Sequence, residues 1–184
     1  MSDQVRISGI VAESITDGPG FRYAVFVQGC SHNCPGCQNP QTHDPCGGEL
    51  RSVEDMVAEI GRDPMLSGVT LSGGEPFEQA GALLPLARAV RDMGLELAAY
   101  TGDLYEDLLR DTGDRRALLE LCDVLIDGPF ILEKRNLDIR FKGSENQRII
   151  DVPASLRTGA VVLKEDGRWI AGSDPFAPGM RERV

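Results

Sequence analysis

Residues 22–39 read Arg22-Tyr23-Ala24-Val25-Phe26-Val27-Gln28-Gly29-Cys30-Ser31-His32-Asn33-Cys34-Pro35-Gly36-Cys37-Gln38-Asn39, and the rest of the chain is best read outward from them. Arg22 to Gln28 is a β-branched and aromatic run of strand type that stops at Gly29. The stretch from Gly29 to Asn39 is rich in Cys, Pro, Gly and Asn, so a strand feeds a loop loaded with reactive side chains.

The same arrangement recurs downstream. Ser52 and Asp55 form a capping-box-like pair, and Val53, Met56, Val57 and Ile60 recur at helical spacing up to Gly61. Gly68 to Leu71 reads as a second strand ending in Ser72-Gly73-Gly74-Glu75-Pro76, and then a helix runs from Ala80 to Met93 until Gly94 ends it. Leu95 to Tyr100 is a third strand ending at Thr101-Gly102, and Leu104 to Leu121 is helical with a break at Gly113. Val124 to Ile126 is a fourth strand ending at Asp127-Gly128-Pro129. Alternating strands and helices predict a parallel sheet with right-handed crossovers. Each Gly, Pro or acidic group falls just after a strand, which puts the chemistry along the carboxyl rim. Four or five such units cannot close an eight-stranded barrel. The expected fold is therefore α/β, an open, partial TIM-like β/α barrel. Val5 to Ser14, and Val161 to Ile170 with its Glu165-Asp166-Gly167 turn, are expected to flank it as short antiparallel edge or hairpin strands.

Composition sets outer bounds. A chain of 184 residues, 41% hydrophobic and 26% charged, is expected to form a single domain over 1–184. A net charge of −10 argues against a nucleic-acid partner, which calls for concentrated Lys and Arg. No apolar run reads as a signal peptide or membrane span, so the expected location is cytoplasmic, with no membrane partner. The cysteine count is odd, at five, and three fall between residues 30 and 37. That pattern points to ligation or redox chemistry before a disulfide framework.

Cys30, Cys34 and Cys37 are separated by three and two residues. Three thiolates of one short loop can thus reach three corners of an iron–sulfur cubane, which prefers soft sulfur ligands. The remaining iron is then open to the amino and carboxylate groups of S-adenosylmethionine (SAM), whose sulfonium carbon–sulfur bond a one-electron reduction can cleave. Pro35 and Gly36 permit the tight turn, and Gly36 allows close backbone approach. Two rivals use the same residues. Cys34-Pro35-Gly36-Cys37 alone matches a thiol–disulfide pair, but a third cysteine lies too near. Adding Cys46 gives four zinc ligands, but not in two paired knuckles. Cys46 can equally be a free thiol or a transient fourth ligand. Cys122 reads as a small buried hydrophobe, and His32 and His43 as surface residues before donors to a cluster sulfur.

The cysteine loop after the first parallel strand, together with Ser72-Gly73-Gly74-Glu75-Pro76 after the second, resembles the radical SAM superfamily, whose members share a partial α/β barrel. The resemblance implies a 4Fe-4S cluster on Cys30, Cys34 and Cys37. It also lays Gly73, Gly74, Glu75 and Pro76 along the methionine part of SAM, with Glu75 receiving its ammonium. Asp17-Gly18-Pro19-Gly20 resembles a loop of the glycyl-radical-enzyme activases, which take a hydrogen atom from a backbone glycine of a partner enzyme. Cys34 to Asn39, Tyr100-Thr101-Gly102, Asp123 to Phe130 and Lys142 to Arg148 are similar to the subgroup that activates anaerobic ribonucleoside-triphosphate reductases. No further cysteine groups are present for a ferredoxin-like insert.

Many radical SAM enzymes carry an aromatic residue just before the third cysteine. Here Gly36 stands there, as in the reductase activases, so adenine contacts fall to the backbone of Gly36, Cys37 and Gln38. The resemblance further implies Thr101 and Asp127 as SAM-side residues at the rim and Asp17 as part of the receiver of the glycine loop, although Asp17 and Asp127 are equally open to turn or cap roles. The implied partners are the large glycyl-radical subunit of an anaerobic ribonucleotide reductase and a low-potential electron donor, flavodoxin or ferredoxin. Activation of another glycyl-radical enzyme, a radical SAM reaction on a small molecule, and a non-catalytic cluster or zinc protein are the alternatives. Asp151 to Val184 carries no motif.

Overall fold

The computed structural model describes residues 4–170. In chain order the elements are β1 (Gln4–Ser14), β2 (Phe21–Val27), β3 (Glu49–Ser52), α1 (Val53–Arg62), β4 (Leu66–Gly73), α2 (Ala80–Asp92), β5 (Glu96–Tyr100), α3 (Tyr105–Arg110), α4 (Asp114–Leu121), β6 (Val124–Asp127), β7 (Arg148–Asp151) and α5 (Val152–Thr158). All seven strands form one open sheet in the order β3-β1-β2-β4-β5-β6-β7. The central β2, β4, β5 and β6 are parallel. β1 and β3 at one edge and β7 at the other pair antiparallel. The expected α/β class with flanking antiparallel strands is present, and the sheet does not close on itself.

Strand alternation decides which face each residue serves. Val25, Val69, Leu71, Leu97, Ala99, Leu125 and Ile150 join one core with Met56 and Ile60 of α1, Leu83, Leu86 and Val90 of α2 and Leu118 of α4. The intervening Ala98, Val124, Ile126 and Ile149 form a second cluster with Trp169. Helices thus cover one face, and a single indole packs on the other beneath the parallel rim.

Local chemistry accounts for most boundaries. Ser52 Oγ accepts from the Asp55 amide at 3.3 Å, the expected cap of α1. Glu54 and Asp55 in the first turn and Arg62 in the last suit the helix dipole. The expected break at Gly113 separates α3 from α4.

The far end departs from expectation. Of the antiparallel edge or hairpin expected over Val161 to Ile170, a short edge is present and the hairpin is not: Leu163 bridges Ile150 antiparallel outside β7, with the Asp151 amide bonded to Val162 O at 2.9 Å and the Lys164 amide to Ile149 O at 2.8 Å. Asp151 then caps α5 by accepting from the Ala154 amide at 2.9 Å, and Gly159 ends it at φ 72°. The Trp169 amide bonds to Asp166 O at 2.9 Å, which turns the chain and lets the indole reach full burial. Truncating a buried aromatic of this size costs roughly 3–5 kcal/mol, more than a short solvent-edge pairing of the same residues would contribute. No helix among the described residues is long and apolar enough to cross a membrane.

Candidate functional site

The loop after β2 is fastened to the sheet from both sides. The Gly29 amide bonds to Thr42 O at 2.7 Å and the Cys30 amide to His43 O at 3.3 Å. Gln28 donates through Nε2 to Gln41 O and Asp44 O, at 3.0 and 2.7 Å. Gln79 donates to Arg6 O and Gln28 O, at 2.7 and 2.8 Å. Asn33 at φ 47° and Gly36 at φ 71° make the turns between the cysteines. The positive φ of Gly36 selects glycine there; a Cβ would meet only the movable end of the exposed Leu132 side chain.

The Gly-Gly-Glu stretch is shaped by the same loop. The Gly74 amide bonds to Val27 O and the Glu75 amide to Gly29 O, both at 2.8 Å. A Cβ at Gly73 would lie 2.6 Å from Val27 N, and one at Gly74 would lie 2.2 Å from Gly29 O. These glycines are required by the close approach of the β2 end, independently of any ligand. Glu75 is 1% exposed. Its Oε1 accepts from the Phe77 amide and Thr101 Oγ1, each at 3.0 Å. Its Oε2 accepts from the Gly102 amide at 2.9 Å and meets His32 Nε2 at 3.1 Å. Four partners match the roughly four lone-pair directions of a carboxylate. Of these only His32 belongs to a part-exposed side chain.

Cys30, Cys34, Cys37 and Gln38 from the first loop, Gly73, Gly74 and Glu75 from the second, Thr101 and Gly102 from the third, and Asp17 line one cavity of about 570 Å³. The opposite wall comes from residues 128–147, including Phe130, Phe141 and Lys142. Asp17 is oriented by Ser14 Oγ, and its carbonyl accepts from Thr70 Oγ1 at 2.8 Å. Pro76 starts a 3₁₀ turn and is buried behind the cavity. Asp127 departs from the rim role expected of it. It is fully buried and outside the cavity lining, with its carboxylate accepting from the Tyr105 amide at 2.9 Å and from Arg148 Nε at 2.9 Å. The bland alternative for Asp127, a helix-start and turn residue, is the one that fits.

The donor set suits a metal cluster. Cys30, Cys34 and Cys37 are all part-buried and share the cavity, whereas Cys46 is exposed outside it and Cys122 is fully buried. Burial, with Glu75 and Glu78 nearby, pushes the Cys30 thiol up to about 11. A thiolate there therefore calls for a positive metal centre to balance it. His43 Nε2, buried in the same wall, has no hydrogen-bond partner, as suits a donor facing a sulfur-rich group. Both histidines are part-exposed at the cavity wall, and His32 has in addition a partner that the sequence does not indicate. His32 reaches Glu75, whose hydrogen bond raises the imidazole pKa. That contact joins residues 43 positions apart, so no local pattern signals it.

Comparison with known proteins agrees with this geometry. Residues 16–150 match the family model of a 4Fe-4S single cluster domain. The anaerobic ribonucleoside-triphosphate reductase-activating protein of Vibrio cholerae is 34% identical over 143 residues, covering 73% of this chain and 90% of that protein. The protein of the same name from Pasteurella multocida is 36% identical over 144 residues, with the same coverage of 73% and 90%. The pyruvate formate-lyase-activating enzyme of Clostridium pasteurianum is 33% identical over 153 residues, 77% of this chain and 63% of that enzyme. With the three-cysteine loop and its matching span, this chain belongs to the family of anaerobic ribonucleoside-triphosphate reductase-activating proteins, built on a 4Fe-4S single cluster domain.

Proposed function

We propose that this chain is a radical SAM enzyme, a single domain acting in the cytoplasm, that generates a glycyl radical on the large subunit of an anaerobic ribonucleoside-triphosphate reductase. The observation that carries this reading is the convergence of Cys30, Cys34 and Cys37, the Gly73-Gly74-Glu75 stretch and Asp17 on one cavity. On this reading the open sheet is the partial barrel of the superfamily. The three thiolates hold a 4Fe-4S cluster, and flavodoxin or ferredoxin reduces it. When bound, the cluster supplies the electron that splits SAM into methionine and a 5′-deoxyadenosyl radical.

The protein's part is to bind and orient. Gly73 and Gly74 offer backbone to the methionine moiety, and the SAM ammonium takes the place of His32 on Glu75 Oε2, the one position there held by a part-exposed donor. Gln38 and the backbone of Cys37 flank adenine, while Gly36, which lies outside the cavity lining, serves the turn between the cysteines. Asp17, aimed by Ser14 and lining the same cavity, receives the glycine loop. The deoxyadenosyl C5′ takes one hydrogen atom from the glycine Cα, leaving 5′-deoxyadenosine and a glycyl radical. Enclosure keeps the reacting carbons in contact, where orientation contributes most to rate.

The test is anaerobic reconstitution with iron and sulfide, then dithionite, SAM and the large reductase subunit. A glycyl-radical doublet in electron paramagnetic resonance, with 5′-deoxyadenosine formed, supports the reading. SAM cleavage without the doublet on that subunit transfers the activity to another glycyl-radical enzyme or to a small molecule.

A further inference from the structure

Trp169 is the single tryptophan of the chain and is 0% exposed, in a segment without a sequence motif. It clusters with Ala98, Val124, Ile126 and Ile149 on the sheet face that carries no helix among the described residues, and Tyr100 and Phe141 pack against that cluster. The Phe141 ring meets it edge-on at 5.3 Å and 68°. The buried Arg22 guanidinium lies over it, 5.6 Å from the ring centroid. At Gly18 a Cβ would come within 3.0 Å of Trp169 Cη2 and 3.2 Å of Arg22 Nε, so the Asp17–Gly20 turn sits directly on the indole and its cation. From Arg22 a relay continues: Nε donates to Thr70 Oγ1 at 3.0 Å, which donates to Asp17 O at 2.8 Å.

Two residues of the cavity lining are therefore set from below by one side chain: Asp17 through Gly18, Arg22 and Thr70, and Phe141 by direct ring contact. Phe141 has φ 54°, a conformation that a bulky residue keeps only where its surroundings hold it. The bonds that fix Cys30 and Glu75 run elsewhere, to His43, Gly29, Phe77, Thr101 and Gly102.

We infer that Trp169 is a positioning residue for hydrogen-atom transfer: it is the floor beneath the glycine-receiving part of the cavity, holding the Asp17–Gly20 turn and Phe141 at a fixed separation while leaving SAM cleavage to the part that holds Cys30 and Glu75. This rests on the activase reading. Without the floor, the C5′ radical still forms but meets the target Cα–H out of line, and takes its hydrogen from another C–H bond.

Trp169→Phe keeps an aromatic floor and Trp169→Leu keeps only an apolar one; both leave the site underfilled, Phe less so than Leu. Two measurements on reconstituted protein test the inference. The first is amide hydrogen exchange read by mass spectrometry. Trp169→Leu is expected to speed exchange at least tenfold in residues 15–20 and 140–144 while leaving residues 29–39 unchanged, and Trp169→Phe to restore slow exchange. The second is the ratio of 5′-deoxyadenosine formed to glycyl radical formed on the large reductase subunit, expected to rise at least tenfold in Trp169→Leu and much less in Trp169→Phe. Unchanged exchange in both segments, or a parallel loss of cluster and SAM cleavage at an unchanged ratio, overturns the inference. If the unsubstituted protein forms no glycyl radical, the activase reading fails, and the exchange data still decide whether Trp169 couples the two segments.

Discussion

Two walls of the cavity face each other and are built in opposite ways. The cysteine wall, residues 29–48, has little regular structure, yet it is tied into the sheet by Gln28, Gln79 and the β2–β4 junction. The facing wall, residues 128–147, is bonded mainly to itself. The Glu145 amide reaches Lys134 O at 2.9 Å, the Gly143 amide reaches Gln147 Oε1 at 2.8 Å, and Gln147 Nε2 returns to Gly128 O at 3.0 Å. Leu137 at its tip is 76% exposed. A wall anchored in the core preserves the geometry that a cluster demands. A wall closed on itself keeps its own shape, and the Phe141–Trp169 contact ties it to the floor.

The contrast breaks most completely at the cysteines. Cys30→Ala, Cys34→Ala or Cys37→Ala should each remove the cluster and bring glycyl-radical formation to background, while Cys46→Ala and Cys122→Ala retain both. Iron and sulfide content with electron paramagnetic resonance checks this. Should Cys46→Ala also lose the cluster, the anchored wall would include a fourth ligand.

Next in size is Glu75. Glu75→Gln exchanges charge-assisted hydrogen bonds for neutral ones, a loss of about 1–1.5 kcal/mol, so SAM binding by the reconstituted protein should weaken roughly five- to tenfold. His32→Ala, by contrast, frees a lone pair on Glu75 Oε2 and should not weaken SAM binding in equilibrium titration. A loss matching that of Glu75→Gln would mean that His32 itself is needed for SAM.

Asp127→Asn sharpens the comparison from the structural side. It breaks a buried pair with Arg148, worth roughly 3–5 kcal/mol when one partner is removed and less here because Arg148 is part-exposed. Thermal unfolding should fall by several degrees with SAM affinity unchanged.

The smallest effect is at the floor. Arg168 holds the Asp166 carboxyl below its ordinary value of 3.8. The stability this contributes is therefore present above that value and lost as pH falls through the lower folded one. Asp166→Asn should remove a fraction of a kcal/mol above the ordinary carboxyl range, with the difference from the unsubstituted protein shrinking as pH falls below that range in urea unfolding.

The parallel core is legible in the sequence because every strand ends in a Gly, Pro or acidic group and every helix repeats apolar residues at its own period. Ser52, Gly94 and Gly113 mark boundaries by chemistry that acts within a few residues. The features that escape such a reading depend on distant partners. β3 and β7 are four residues each and exist because β1 and β6 offer open edges. Val161 to Ile170 carries β-branched residues and a turn, and so reads as an edge or hairpin; only residues 162–164 pair at the edge, and the indole goes to the sheet face that no helix among the described residues covers. At the site, the cysteine and glycine motifs announce themselves by spacing. Asp127 does not reveal its burial, nor His32 its bond to Glu75, because Arg148 and Glu75 lie 21 and 43 residues away.

The central claim is that the cavity joins SAM cleavage to removal of a glycine hydrogen from a partner protein. It is met most directly by labelling the large reductase subunit with α-deuterated glycine and measuring deuterium in the 5′-deoxyadenosine formed during activation. The account predicts one deuterium in 5′-deoxyadenosine for each glycyl radical, and none when the reactive glycine of the subunit is replaced by alanine. A glycyl radical that appears while 5′-deoxyadenosine stays unlabelled would contradict it.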